Sequence, residues 1–165
     1  MLNGEDLCTI DAIRTLLKGL FILAVYPLLT FLWAGFIFVA ACTSNAHAFL
    51  YEQVVQFTFE FAPNFMDLLI TSDIHLTNEF YLIQKTGHMF TFGVLYFLHL
   101  LWVRKMGTAF VLTGILAAFS EILQLYFNRN GRLFDVGIDL VGIFVAYLFC
   151  KSFLMDLISK RYSHS

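Results

Sequence analysis

Eight side chains with acid–base or hydrogen-bonding chemistry stand out because the rest of their region is strongly apolar. They are Lys85, His88, Glu121, Gln124, Arg129, Arg132, Asp135 and Asp139. Polar groups at membrane depth are costly, and they are kept mostly for ligands, ions or protons. These eight residues are therefore the predicted ligand-binding site.

The basic residues of this set suit an anion. Arg129 and Arg132 each offer a planar fork of donors that fits phosphate or carboxylate, and Lys85 offers a compact positive charge. The sequence thus predicts contacts with an anionic head group.

The acidic residues allow other chemistry. Glu121, Asp135 and Asp139 are candidate ligands for a divalent cation, which would be the protein's cofactor. His88 and Glu121 are candidate catalytic residues for proton transfer. Gln124 fits a ligand contact and a helix–helix hydrogen bond equally well.

Purely structural roles are the alternative. An arginine of the 129–132 turn, paired with Asp135, would close the turn and neutralise both charges, because an unpaired charge in a low dielectric is very costly. His99 lies deeper in an apolar helix. We expect its ring to be satisfied by a nearby hydroxyl such as that of Tyr96 or Thr113.

The composition is that of an integral membrane protein. The chain has 165 residues, of which 59% are apolar and 13% charged, against roughly 25% charged in soluble domains. The mean hydropathy is +0.77. The net charge of −2 argues against a nucleic-acid partner, which needs a basic surface. We predict a single all-α membrane domain over residues 1–165.

Four apolar stretches are long enough to cross a bilayer. No charged residue occurs from residue 19 to residue 51, whereas a spanning helix needs about 20 residues. The apolar part of a cleaved signal peptide is shorter, roughly 7–15 residues, so this first helix is expected to be retained. The predicted spans are 19–41, 86–103, 107–126 and 136–153.

The basic residues predict the orientation, because cytoplasmic loops are rich in Lys and Arg. Both termini and the 103–106 turn carry them and should be cytoplasmic. The 127–132 turn should lie outside, yet it holds two arginines, which indicates a task for them. The basic residues on the predicted cytoplasmic side are Arg14, Lys18, Arg104, Lys105, Lys151, Lys160 and Arg161.

The segment 43–84 joins the first two spans and should lie outside, because it is acidic and lacks Lys and Arg. It is rich in aromatic residues and fits an amphipathic helix in the outer interface, broken at Pro63. The alternative is a loop that packs its aromatic rings over the helix bundle. Its acidic residues are Glu52, Glu60, Asp67, Asp73 and Glu79.

Short turns make the last three spans antiparallel neighbours and gather the polar residues into an inward-facing cup. Over residues 83–147 this pattern resembles the VanZ-like family of small bacterial membrane proteins. The family usually has Asn at the position of Asp139, so this chain adds a carboxylate. The matching residues are Lys85, His88, Ser120, Glu121, Gln124, Gly131, Arg132, Asp135, Asp139 and Gly142.

The resemblance implies a multi-pass protein of the bacterial inner (cytoplasmic) membrane, linked to the cell envelope and to low-level resistance to the glycopeptide teicoplanin. It gives no established reaction. Our first hypothesis is a non-enzymatic module that binds an anionic membrane lipid or a lipid-linked envelope precursor at the outer leaflet. The alternatives are an intramembrane hydrolase or transferase acting on a lipid phosphate, and a lipid flippase, for which four helices would require a homodimer.

Overall fold

The computed structural model describes residues 4–72 and 77–163, with side chains for residues 19, 24–72 and 77–153. Asp73, and the side chains of Arg14, Lys18, Lys160 and Arg161 used for the predicted orientation, lie outside this part. The described residues contain no strand, so the all-α prediction is confirmed. The elements are α1 (Gly4–Cys42), α2 (Ala46–Glu52), a 3₁₀ helix (Phe65–Leu69), α3 (Glu79–Val103), α4 (Met106–Tyr126) and α5 (Leu133–Ser163).

Four of these helices are long and apolar enough to cross a membrane, as predicted. Their outward faces carry large apolar side chains such as Phe31 (65% exposed) and Phe149 (72% exposed), which suits contact with lipid rather than water. The candidate spans are Ala24–Cys42, Glu79–Val103, Met106–Tyr126 and Leu133–Phe153.

The second span begins earlier than predicted, at Glu79 rather than at residue 86. The side chain of Asn78 caps the helix by accepting a hydrogen bond from the Tyr81 amide at 3.2 Å, which fixes the first turn. Lys85 and His88 therefore lie well inside α3 instead of at its start. This places both side chains at the level of the polar residues of α4 and α5.

Helix α3 is the centre of the bundle. It packs against α1, α4 and α5, and most extensively against α5. Its buried side chains include Phe92, Leu95 and Tyr96. At Gly142 of α5, a Cβ atom would collide with the backbone carbonyl of Met89. The missing side chain thus lets α3 and α5 approach closely next to the polar residues.

The segment between α1 and α3 is mainly a loop, and the prediction of an amphipathic helix broken at Pro63 is wrong. After α2 the chain turns at Gln53, whose φ of 57° is left-handed, and residues 53–60 have no helical structure. Alternate residues of this extended stretch share one face. The rings of Phe57 and Phe59 lie 5.7 and 5.6 Å from the ring of Phe127. The loop alternative, with aromatic rings packed over the end of the bundle, is therefore correct.

Candidate functional site

The structure brings all eight predicted site residues to the end of the bundle where α4 stops and α5 starts. The outermost contact is an ion pair between Lys85 Nζ and Asp135 Oδ2 at 2.5 Å, with both side chains largely buried. Among the described residues, the ion-pair partner of Asp135 is thus Lys85 of α3. The alternative in which Asp135 pairs with an arginine of the 129–132 turn is not the arrangement found.

The two arginines of the turn tie the 43–72 segment over the cup. Arg129 Nη1 donates to the carbonyl oxygen of Thr43 at 2.6 Å, and Arg132 Nη1 donates to that of Asp67 at 2.8 Å. Burial lowers the pKa of the Arg129 guanidinium, and the charge of Glu121 opposes this shift. Arginine nevertheless stays protonated at any physiological pH. A carbonyl is a neutral acceptor, so its hydrogen bond leaves the charge of Arg129 in place.

These basic residues line a cavity of about 360 Å³. A second cavity of about 220 Å³ lies beside it and is walled mainly by apolar residues of α1 and α2, together with His88. Ala46, Gln84 and Arg129 border both cavities. The site therefore joins a charged compartment to an apolar one, with Arg129 between them. The charged and polar residues of the first cavity are Gln84, Lys85, Asn128, Arg129, Asn130, Arg132 and Asp135.

Below this level, Glu121 is completely buried. Its Oε1 accepts a hydrogen bond from Gln124 Nε2 at 2.5 Å, and its Oε2 accepts one from the Arg132 amide at 3.0 Å. Gln124 thus bonds within its own helix rather than between helices. Gly131 permits this arrangement, because a Cβ atom there would collide with the carbonyl of Glu121.

Glu121 belongs to a buried group with His88 and Asp139. Ligand atoms from these three residues all lie within 4.8 Å of one another. His88 Nδ1 is 3.5 Å from Asp139 Oδ1, and this distance is too long for a good hydrogen bond. The predicted cation ligands were Glu121, Asp135 and Asp139. The structure assembles His88 in place of Asp135, because Asp135 turns towards Lys85.

His99 has the structural role expected of it. Its Nδ1 lies 2.9 Å from Thr113 Oγ1. The Thr113 hydroxyl donates to the carbonyl of Ala109 at 2.7 Å, so it accepts from the ring Nδ1–H. His99 is therefore satisfied within the core and stands apart from the cup.

Three contributors to the site were not predicted from the sequence. The ring of Tyr81 lies under Lys85 Nζ, with 5.0 Å from the nitrogen to the ring centroid. Their spacing of one helical turn is a signal that would have found this contact. The carbonyls of Thr43 and Asp67 hold the arginines through the backbone. Residue type carries no information about such contacts.

Comparison with known proteins identifies a relative. No protein-family model matches the chain, and no solved structure matches it. The uncharacterized membrane protein YwnJ of Bacillus subtilis (strain 168) is 38% identical to it over 117 residues, which cover 70% of this chain and 82% of YwnJ. The chain is thus a membrane protein that belongs to the family of YwnJ.

Proposed function

We propose that this protein binds the anionic head group of a membrane lipid, or of a lipid-linked envelope precursor, in its polar cup. The observation that carries the proposal is the cavity bordered by Lys85, Arg129 and Arg132 next to an apolar cavity. The cavity bordered by these basic residues has a volume of about 360 Å³, which lies within the range of roughly 300–1,000 Å³ found for small-molecule sites.

The two compartments fit the two parts of an amphiphile. A phosphate in the charged compartment would accept hydrogen bonds from the arginine forks, which match its geometry. The hydrocarbon next to the head group would occupy the compartment walled by Phe36, Ile37 and Phe49. A soluble anion would leave that apolar compartment unused. Arg129 borders both and is the residue that a bound lipid would need most.

The hydrogen bonding of Arg129 leaves a positive charge that favours an anion at this point of the cup. Asp135 offsets the charge of Lys85 through their ion pair. The guanidinium of Arg129 donates to a carbonyl and keeps its charge. An anionic ligand would neutralise that charge in a low-dielectric site, where opposite charges attract strongly.

We further propose that the cup faces the outer leaflet of the bacterial cytoplasmic membrane and that the protein is VanZ-like. Arg104 and Lys105 lie at the other end of α4, whose 21 residues extend about 30 Å. Basic residues mark the cytoplasmic side, so the cup would lie outside. Teicoplanin carries an acyl chain and acts at the outer membrane surface, which makes a surface-lipid role compatible with the resistance that the resemblance implies.

Native mass spectrometry of the full chain, released from nanodiscs of equal phosphatidylglycerol and phosphatidylcholine content, tests the proposal. We expect preferential retention of phosphatidylglycerol. Arg129→Gln should weaken it at least tenfold, because a hydrogen bond to a charged group contributes about 1.5–3 kcal/mol and about 1.4 kcal/mol corresponds to a factor of ten. Arg104→Gln, a change to an exposed arginine at the other end of α4, should retain the lipid as the natural chain does.

Two results would contradict head-group binding. One is equal retention of both lipids by the natural chain. The other is unchanged phosphatidylglycerol retention in Arg129→Gln. Inorganic phosphate is added in a parallel sample. If free phosphate displaces the lipid completely at equal concentration, the site is one for soluble anions and not for lipids.

A second candidate is an intramembrane hydrolase or transferase acting on a lipid phosphate. The observation that favours it is the imidazole of His88 held 3.5 Å from the buried Asp139 carboxylate, beside the basic cavity. Histidine and aspartate are common groups for proton transfer in catalysis. Mass spectrometry of phosphatidylglycerol after incubation with the protein tests this. Products of phosphatidylglycerol hydrolysis or transfer that form with the natural chain but not with His88→Gln would support catalysis. Unchanged phosphatidylglycerol would exclude catalysis on this substrate.

A further inference from the structure

We propose that His88, Glu121 and Asp139 bind a divalent transition-metal ion, Zn²⁺ or Mn²⁺, between α3, α4 and α5. This site is distinct from the head-group cavity, because neither Glu121 nor Asp139 borders that cavity. The proposal therefore stands or falls independently of lipid binding.

The spacing of the three side chains suits a metal ion. Metal–ligand distances of about 2.0–2.2 Å in a tetrahedral site place the ligand atoms roughly 3.4 Å apart. His88 Nδ1 and Asp139 Oδ1 already lie 3.5 Å apart, and the whole group lies within 4.8 Å. A small contraction of this group around an ion would bring all three ligand atoms to these distances.

The hydrogen bonding around Asp139 points to a cation. Asp139 is fully buried, and neither carboxylate oxygen accepts a hydrogen bond from the described residues. His88 Nδ1 is also buried without a hydrogen-bond partner there. A carboxylate and an imidazole nitrogen that face each other both present lone pairs, so a proton or a metal ion must lie between them. An uncompensated carboxylate in such a place is very costly.

The third ligand is already oriented. Each oxygen of the Glu121 carboxylate accepts one hydrogen bond, from Gln124 Nε2 and from the Arg132 amide. A carboxylate oxygen has two lone pairs, so each retains one for a metal. Such outer hydrogen bonds fix the ligands of known metal sites.

Charge and ligand type narrow the choice of ion. A dication would neutralise the carboxylates of Glu121 and Asp139, leaving no net charge in the buried group when His88 is neutral. One imidazole suits Zn²⁺, a borderline ion that binds nitrogen and oxygen ligands, and two carboxylates also suit the harder ion Mn²⁺. Mg²⁺ usually keeps several waters, and this group is tightly enclosed.

The test is elemental analysis of the purified full chain after dialysis against Zn²⁺ or Mn²⁺ and removal of the excess ion. We expect about one ion per chain, as in known three-ligand sites, with at least a tenfold loss in Asp139→Asn and in His88→Gln. The matched controls are His99→Gln, a second buried histidine of α3, and Glu60→Gln, an exposed carboxylate. Both should keep the ion.

A measurement on the natural chain alone covers the case in which the variants fail to fold. Zn²⁺ or Mn²⁺ should raise its melting temperature, and a chelator should reverse the rise, because an ion that binds only the folded state stabilises it. No bound ion and no shift in melting temperature would overturn the proposal, and a proton would then lie between His88 and Asp139. Binding of Mg²⁺ alone, or equal Zn²⁺ content in Asp139→Asn, would also overturn it.

Discussion

The Lys85 ammonium lies 2.5 Å from the Asp135 carboxylate and joins α3 to α5 at the mouth of the cup. This ion pair determines which charged groups face each other in the rest of the cup. Asp135 is removed from the buried acidic group, which leaves Glu121 and Asp139 to face His88. The Arg129 guanidinium meanwhile donates to the carbonyl oxygen of Thr43, a neutral acceptor that leaves its positive charge in place. We therefore propose that the outer level of the cup binds an anion and the inner level a cation.

The ion pair itself should be important for stability. Asp135→Asn leaves Lys85 largely buried without its counter-charge, and removing one partner of a buried pair costs about 3–5 kcal/mol. We expect a loss towards the low end of this range, measured by denaturant unfolding in mixed micelles. Lys85→Gln combined with Asp135→Asn should recover part of it, because no charge is then left unpaired. A double variant as unstable as the sum of the single variants would show that the pair is not coupled.

The close approach of α3 and α5 should depend on Gly142. Gly142→Ala forces the added methyl group against the Met89 carbonyl, and we expect a loss of about 1–3 kcal/mol, typical of overpacking. It should also weaken Zn²⁺ binding, because the displaced helices separate His88 from Asp139. Gly137→Ala is the matched control in the same helix, where an added Cβ meets no atom within 4 Å. Equal stability of the two variants would contradict the proposed contact.

Gln124 should act on the metal through Glu121. Gln124→Leu removes the hydrogen bond to Glu121 Oε1, and loss of such an outer contact typically weakens metal affinity 10–100-fold. Titration calorimetry with Zn²⁺ measures this change. Gln56→Leu, on the exposed loop, is the control and should bind Zn²⁺ like the natural chain. An unchanged dissociation constant in Gln124→Leu would show that Glu121 is not a ligand.

The proposed envelope role predicts a phenotype. We expect that expression of this chain in a Bacillus subtilis strain that lacks YwnJ raises tolerance of teicoplanin above that of the same strain with an empty vector. Arg129→Gln should lose the protection because its charge is needed for the head group, whereas Arg104→Gln should keep it. The measurement is the minimal inhibitory concentration, with membrane levels of each variant matched by immunoblotting. If Arg129→Gln protects as well as the natural chain does, resistance does not depend on head-group binding in the cup.

The bundle could be predicted from the sequence because apolar length and charge determine which segments suit a bilayer. The start of α3 could not, since the charge of Lys85 made residue 86 the apparent boundary. In the structure that charge is accommodated by Asp135 of another helix. The segment after α2 was equally ambiguous. Leu50, Val54, Phe57 and Phe61 have helical spacing, whereas Val55, Phe57, Phe59 and Phe61 alternate as in a strand. Its contact with Phe127 is a tertiary property.

The candidate site, like the fold, could be predicted only in part. Residue types alone picked out all eight polar side chains, because each is out of place in an apolar region. Their partners could not be deduced, since the choice between Asp135 and His88 as neighbour of Asp139 depends on helix rotation and depth. Backbone carbonyls hold Arg129 and Arg132, and such contacts cannot be predicted from side-chain chemistry.

The most direct test of head-group binding is an experimental structure of the full chain in nanodiscs that contain phosphatidylglycerol. We expect density for a lipid phosphate within hydrogen-bonding distance of the Arg129 guanidinium, with the acyl chains of that lipid leading into the cavity lined by Phe36 and Phe49. Lipid head groups found around the outside of the bundle, with no phosphate in the cup, would contradict it.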